Sequence, residues 1–283
     1  MMVTRSQKTM AESFLALHQA SKPFVLANSW DVASAKIFEL AGFKAIGTAS
    51  AALSATLGLP DGQRMTVHAT AALVRRLVDK IDLPVSADIE AGYAETVEGV
   101  AATAEMVLKS GAVGINLEDS RKDNSHRLYD IEFQQDKLRA VRAMADRAGL
   151  HLVINARTDT FLIPNDDARL RVKETIERGN AYREAGADCV FVPDMGDLDL
   201  GTMKLLAREI DAPINIIAGA GTPPIAQLGE IGIARVSLGP KPLRATLGLL
   251  KKIAREILDQ GTFSYMMTDA VDYAEARQMF TDK

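Results

Sequence analysis

Short apolar runs alternate with longer amphipathic stretches along most of the chain. The runs are PFVLANSW (23–30), FKAIGTAS (43–50), LPVSADIE (83–90), AVGINLED (112–119), HLVINART (151–158), DCVFVPD (188–194), PINIIAG (213–219) and ARVSLG (234–239). They are rich in Val and Ile and almost unbroken by polar residues, the signature of strands buried on both faces and hence parallel. Between them lie helical patterns such as DVASAKIFELAG and ETVEGVAATAEMVLKSG, each closed by an Ala-Gly or Ser-Gly stop. A loose βα repeat results: AGFKAI, SGAVGI and AGADCV each pass from a helix stop into a strand. Eight strand candidates in 283 residues predict a (β/α)8 TIM barrel, a fold of ~250 residues. No linker interrupts the pattern, so residues 1–283 read as one domain. The surplus falls at the ends: an N-terminal helix over about 7–20, and a C-terminal helical extension over 262–283 beyond the last barrel helix. A doubly wound sheet is disfavoured, because the first strand runs into NSWDVAS rather than a glycine-rich phosphate loop.

Composition narrows the function classes. Net charge is −4 and aromatic content 5%, which leaves neither a basic footprint nor a stacking surface for nucleic acid. No stretch approaches the roughly 20 apolar residues of a membrane span. One cysteine, Cys189, excludes an internal disulfide and fits a reducing cytoplasm; it opens an apolar strand and is expected in the core. His18 and His68 fall in helical stretches and are expected on the surface. The four histidines are scattered and none pairs with Cys189, which argues against zinc.

In a barrel of this kind chemistry belongs at the carboxyl ends of the strands. Polar residues collect there: Asn28, Thr48, Ser50, Asp88, Glu90, Asn116, Glu118, Asp119, Asn155, Arg157, Asp194, Asn215, Arg235 and Ser237. The period of two would put Asp88 and Glu90 on one side of their strand. With Glu118 and Asp119 of the next strand they offer hard oxygen ligands suited to Mg²⁺, or to Mn²⁺. Arg157 is a candidate anion clamp, or else an internal partner of Asp159. Two long loops follow the second and fourth strands, AALSATLGLPDGQRMT (51–66) and SRKDNSHRLYD (120–130), and loops of that length on this face often act as lids.

The stretches NSWDVASAKIFELAGFKAIGTASAALSATLGLPDG, ADIEAGY, INLEDS, INARTDTF and ERGNAYREAGADCVFVPD resemble, in order, the isocitrate lyase/phosphoenolpyruvate mutase superfamily, over about 10–260. The resemblance implies a barrel whose C-terminal helix is exchanged between subunits of a homo-dimer or homo-tetramer. It also implies a small 2-oxo-acid or phosphonate substrate. Asp88 then resembles the direct Mg²⁺ ligand, and Glu90 and Glu118 the residues that reach the metal through water. Arg157, Thr48 and Ser50 resemble the carboxylate-binding groups, and Asp61 a catalytic or orienting acid. Asn215 and Ser125 are further substrate-binding candidates. The chain lacks the lyases' Lys-Lys/Arg-Cys-Gly-His motif; KDNS (122–125) instead resembles the Lys-x-Asn-Ser of phosphonomutases and phosphonopyruvate hydrolases, which makes Lys122 and Asn124 catalytic candidates. The loop is about two residues shorter than in those enzymes, and Glu90 stands where they often carry Asp. The implied activity is Mg²⁺-dependent making or breaking of a P–C or C–C bond beside a 2-oxo-acid enolate. A cysteine-independent C–C lyase or oxaloacetate decarboxylase is the alternative, and a non-catalytic dicarboxylate-binding protein the reading from another class.

Overall fold

The computed structural model describes residues 3–123, 125–164, 167–194 and 196–281. The chain opens with α1 (Arg5–His18) and β1 (Phe24–Ser29), then α2 (Val32–Leu40), β2 (Ile46–Thr48), α3 (Ser50–Thr56), α4 (Val67–Val78) and β3 (Val85–Asp88). It continues with α5 (Val97–Lys109), β4 (Gly114–Glu118), α6 (Ile131–Ala148), β5 (Val153–Arg157), α7 (Ala168–Glu184) and β6 (Cys189–Val192). Last come α8 (Leu200–Glu209), β7 (Ile214–Ile217), α9 (Ile225–Glu230), β8 (Ile233–Ser237), α10 (Lys241–Gln260), α11 (Ser264–Met267) and α12 (Tyr273–Met279). The eight strands are parallel and close in sequence order, β8 pairing β1 with Phe24 opposite Arg235. This is the (β/α)8 barrel that the periodicity predicts, with each strand running inside its predicted span except at the start of β8.

Side chains such as Thr4, Asp31, Thr66, Thr96 and Asp199 accept backbone N–H groups at helix starts, satisfying donors that the helix itself leaves open. The N-terminal mouth of the barrel is plugged by α1. Its buried positions Ala11, Phe14 and His18 share one helical face, and Phe14 and His18 stack edge-on with Phe24. The plug needs Gly114, since a methyl there would meet Phe14 at 2.6 Å. His18 therefore lies in the interior (2% exposed) rather than on the surface; His68 is exposed and Cys189 is buried, as expected. The 51–66 stretch is not wholly loop, because α3 occupies its first half. No helix among the described residues is long and apolar enough to cross a membrane.

Candidate active site

The open, C-terminal mouth of the barrel holds a cavity of about 240 Å³. Thr48, Ser50, Asp61, Asp88 and Arg157 line it, together with Asn116, Arg235, Ser237, Lys241 and Arg244. Asp88 ends β3 and is 9% exposed. Its Oδ2 accepts the Ser50 N–H at 2.9 Å, and its Oδ1 accepts from Asn116 Nδ2 at 3.0 Å and from the Glu90 N–H at 3.2 Å. Its own N–H donates to Thr48 Oγ1 at 2.8 Å. Asn116 is in turn oriented by Asn155, whose Nδ2 donates to it at 2.9 Å. Four strand ends thus fix one carboxylate, which makes no ion pair with any described residue. Arg157 and Arg235 act on it only at longer range, and buried charge without a close counterion is costly, so this carboxylate could hold a cation directly.

Glu90 does not continue the strand alternation. β3 stops at Asp88, and Glu90 takes a left-handed backbone conformation, φ +49°, which costs free energy in a non-glycine residue. Its carboxylate swings toward the 51–66 loop and accepts from the Gln63 N–H at 2.7 Å and from Tyr93 Oη at 3.1 Å. Burial, with Asp88 close by, pushes its pKa up to about 7. Glu118, 1% exposed at the end of β4, pairs through Oε2 with Arg157 at 2.9 Å and through Oε1 with Lys122. Burial raises its pKa as well. Lys122 also lies 3.7 Å from Glu90 Oε2, so one ammonium bridges the two glutamates and draws the 120–130 loop over them.

The three acids do not close into a compact cluster: no group of three His, Cys, Asp or Glu is assembled for a metal among the described residues. Mg²⁺ does not require one, since it keeps several waters and takes one or two carboxylates directly. Asp88 facing the cavity, with Glu90 and Glu118 behind it, fits that habit. Asp119 is not part of the donor set. It points outward, where its Oδ2 accepts from Tyr182 Oη at 2.7 Å and lies 3.4 Å from Arg178, while its Oδ1 accepts the Asp159 N–H at 2.9 Å.

Arg157 is an internal partner of Asp159, one of its two sequence readings, and is also placed where the other would need it. It lines the cavity, and its Nε and Nη2 meet Asp159 at 2.5 and 3.1 Å. Asp61 is exposed at the cavity mouth. Asn215 is buried one shell below, exchanging hydrogen bonds with Ser237 at 3.0 and 3.1 Å; it orients Ser237 rather than facing the cavity. Lys122 and Ser125 sit on the loop and do not line the cavity either. Asn124 lies outside the described residues. Sequence reasoning passed over Lys241 and Arg244. The signal was there: GPKPLR places two cations directly after the last strand, on the face where strand ends converge.

Comparison with known proteins agrees with this architecture. The family model described as phosphoenolpyruvate phosphomutase matches residues 14–258. A protein of Mycobacterium tuberculosis is 36% identical over 270 residues, covering 95% of this chain and 96% of that one. The 2-methylisocitrate lyase of Halalkalibacterium halodurans is 29% identical over 91% of this chain and 85% of its own. Among solved structures, a Burkholderia cenocepacia protein provisionally described as a lyase/mutase superposes with a TM-score of 0.91 at 30% identity, covering 98% of both chains. A phosphonopyruvate hydrolase complexed with oxalate and Mg²⁺ shares the fold, with a TM-score of 0.84 at 22% identity over 95% and 94% of the two chains. With the closed parallel barrel and the carboxylate at the end of β3, these matches make the chain a member of the phosphoenolpyruvate mutase/isocitrate lyase superfamily of enzymes.

Proposed function

We propose that the chain is a Mg²⁺-dependent enzyme that makes or breaks a P–C or C–C bond at the carbon beside a 2-oxo acid's carbonyl. The observation that carries this reading is Asp88: a buried carboxylate at the cavity wall, fixed by three N–H donors and in no ion pair among the described residues, with Arg157 and Arg235 acting on it only at longer range. Asp88 would hold the ion directly, with Glu90 and Glu118 reached through water. The ion, when bound, supplies Lewis-acid stabilisation of the enolate charge.

The chain's own residues do the rest. Thr48 and Ser50, at the β2–α3 junction beside Asp88, line the wall where a substrate carboxylate would lie. Arg157, held flat by Asp159 and Glu118, presents a preorganised positive edge to developing charge. Lys122 anchors the 120–130 loop on the two glutamates, and loop closure there excludes water. Asp61 at the mouth, with Lys122 and Asn124 on the loop, supplies candidate proton donors and acceptors for the departing group.

A second reading is a cysteine-independent C–C lyase or oxaloacetate decarboxylase. The loop residues that carry the mutase resemblance, Lys122 and Ser125, stand off the cavity, and this favours it. A cytoplasmic location belongs to the same proposal, supported by a single cysteine, which permits no disulfide within the chain.

The test follows pyruvate, and separately phosphate, released from oxaloacetate and phosphonopyruvate as Mg²⁺ is titrated. Turnover should require the metal. Asp88→Asn, which keeps the shape of the side chain, should cut kcat/KM by more than the roughly 100-fold that loss of an outer-shell partner costs. Metal-independent turnover, or a variant as active as the parent, refutes the proposal.

A further inference from the structure

The segment that carries Asp61 has little of its own to hold it. Between α3 and α4 the chain forms no helix or strand, and residues 57–61 are all exposed. The Asp61 carboxylate makes no hydrogen bond or ion pair among the described residues. Its place at the cavity mouth therefore comes from the chain on either side. Before it, the Leu59 N–H donates to the Ser54 carbonyl at 2.9 Å and keeps the segment against the end of α3. After it, the first tether is Gln63, two residues on.

Gln63 meets the turn after β3 through both its main chain and its side chain. Its N–H donates to Glu90 Oε2 at 2.7 Å. Only donors surround one end of its amide, which assigns the oxygen there. That oxygen accepts the Tyr93 N–H at 2.9 Å and the Gly92 and Ala91 N–H groups at 3.2 Å each. Three successive N–H groups converging on one oxygen make a nest. The nest exists because the turn is left-handed at three residues, Glu90 (φ +49°), Gly92 (φ +104°) and Tyr93 (φ +55°). A methyl at Gly92 would strike Val100 at 2.6 Å. Lys137 of α6, fully buried, donates to the Ala91 carbonyl at 3.4 Å and braces the same turn. Gln63 is itself left-handed, at φ +57°. Three of the five described non-glycine residues with positive φ thus meet at one contact. Strain of this kind persists only where the surrounding structure over-determines it, and it gathers at functional sites.

We propose that Gln63 is the positioning residue for Asp61. Seated in the nest of residues 91–93, it docks the segment between α3 and α4 on the turn after β3 and so fixes the Asp61 carboxylate at the cavity mouth. This deepens the proposed function and rests on it, because there Asp61 is a proton donor or acceptor for the departing group.

Two variants test it: Gln63→Met, which keeps the bulk but offers only a weak acceptor, and Gln63→Gly, which keeps the left-handed backbone. Trypsin cleavage after the exposed Arg64, followed by mass spectrometry, reads the docking itself. Both variants should be cut roughly tenfold faster than the parent, as the open population grows when such hydrogen bonds are lost. The urea midpoint should stay where it was, since the opening is local. Kinetics then read the positioning, on whichever of oxaloacetate and phosphonopyruvate the parent turns over in Mg²⁺. Each variant should lose roughly 10- to 100-fold in kcat, the scale of a misplacement of about 1 Å, with KM nearly unchanged. In an Asp61→Asn background the same substitutions should cost nothing further, because the group they misplace is already gone. Cleavage at the parent's rate overturns the docking. An unchanged kcat, or a loss that multiplies with that of Asp61→Asn, overturns the assignment to Asp61. A parent that turns over neither substrate refutes the proposed function and with it the role of Asp61, while the tryptic comparison still decides whether Gln63 docks the segment.

Discussion

The imidazole of His18 sits at the closed end of the barrel with Nδ1 2.8 Å from the Phe14 carbonyl and Nε2 3.4 Å from Arg235. A guanidinium can only donate, so Nε2 accepts, Nδ1 carries the proton, and the ring is neutral. Burial first, and Arg235 second, hold its pKa down to about 3 from an ordinary 6.5. The sign of the consequence is definite. Below pH 6.5 the unfolded chain gains a proton at this residue that the folded protein refuses, so its contribution to stability falls as pH drops from 6.5 toward 3. The slope from this group is about 1.4 kcal/mol per pH unit, or about 2 kcal/mol between pH 6.5 and 5. Glu90 and Glu118, whose raised pKa values let the folded protein take up protons first, act with the opposite sign in the same window, so the histidine is read from the difference between variant and parent. His18→Gln should gain stability relative to the parent by about 1.4 kcal/mol per pH unit as pH falls across that window in urea unfolding, and parallel pH profiles for the two proteins would show that His18 is not responsible. The burial of His18 was readable, since Ala11, Phe14 and His18 recur at helical spacing; a polar residue on an apolar face was simply taken for an exposed one. Asp88 was legible for the same kind of reason, as the residue where an apolar strand ends. The direction of Glu90 was not, because it depends on a left-handed backbone that a period-two pattern cannot express.

Between residue and barrel, the β4–α6 connection is held from outside. Asp119 is fully buried; besides its bonds to Tyr182 and the Asp159 N–H, its carbonyl accepts the Tyr129 N–H at 2.8 Å. Arg178 Nη1 ties the same knot, reaching the Tyr129 carbonyl at 2.9 Å and Tyr182 Oη at 3.0 Å. The 120–130 loop is therefore anchored to α7 and to the end of β5. Tyr182→Phe removes one donor from a buried carboxylate, which should cost about 1–3 kcal/mol in denaturant unfolding. A variant within 0.5 kcal/mol of the parent, the ordinary scatter for surface changes, would mean that Arg178 alone satisfies Asp119 Oδ2. The sequence placed Asp119 next to Glu118 and therefore among metal ligands. Adjacent strand residues face opposite ways, and that rule, applied to Glu118 and Asp119, was enough to separate the inward acid from the outward one. The hydrogen-bonded partners on α7 were not foreseeable, since they come from a helix some sixty residues away.

At the scale of the whole molecule, the barrel is complete but its last helix is not covered. Only Leu243 and Glu256 of α10 are buried, while Leu247, Leu249, Leu250 and Leu258 stay open, Leu258 at 84% exposure. The segment that follows repeats the pattern with Phe263, Met267, Tyr273 and Phe280. An apolar surface of this extent is the mark of an interaction site. The segment also has a defined course. Gly261 ends α10 in a left-handed cap, and Glu256 accepts from Thr262 Oγ1, the Ser264 N–H and the Tyr265 N–H at 2.6–2.8 Å, folding α11 back against the helix end. We propose that α10 and the 262–283 extension pack on a second copy of this chain, giving the homo-dimer or homo-tetramer that the sequence resemblance implies. Light scattering should then return a multiple of 30.5 kDa. Leu250→Glu with Leu258→Glu should shift it toward the single-chain mass, because burying two unpaired carboxylates in an apolar interface is prohibitive. A wild-type protein that elutes as a monomer at micromolar concentration rules out self-association through this face. Retention of oxalate and Mg²⁺ binding by the dissociated variant would show further that the site at Asp88 is built by one chain alone.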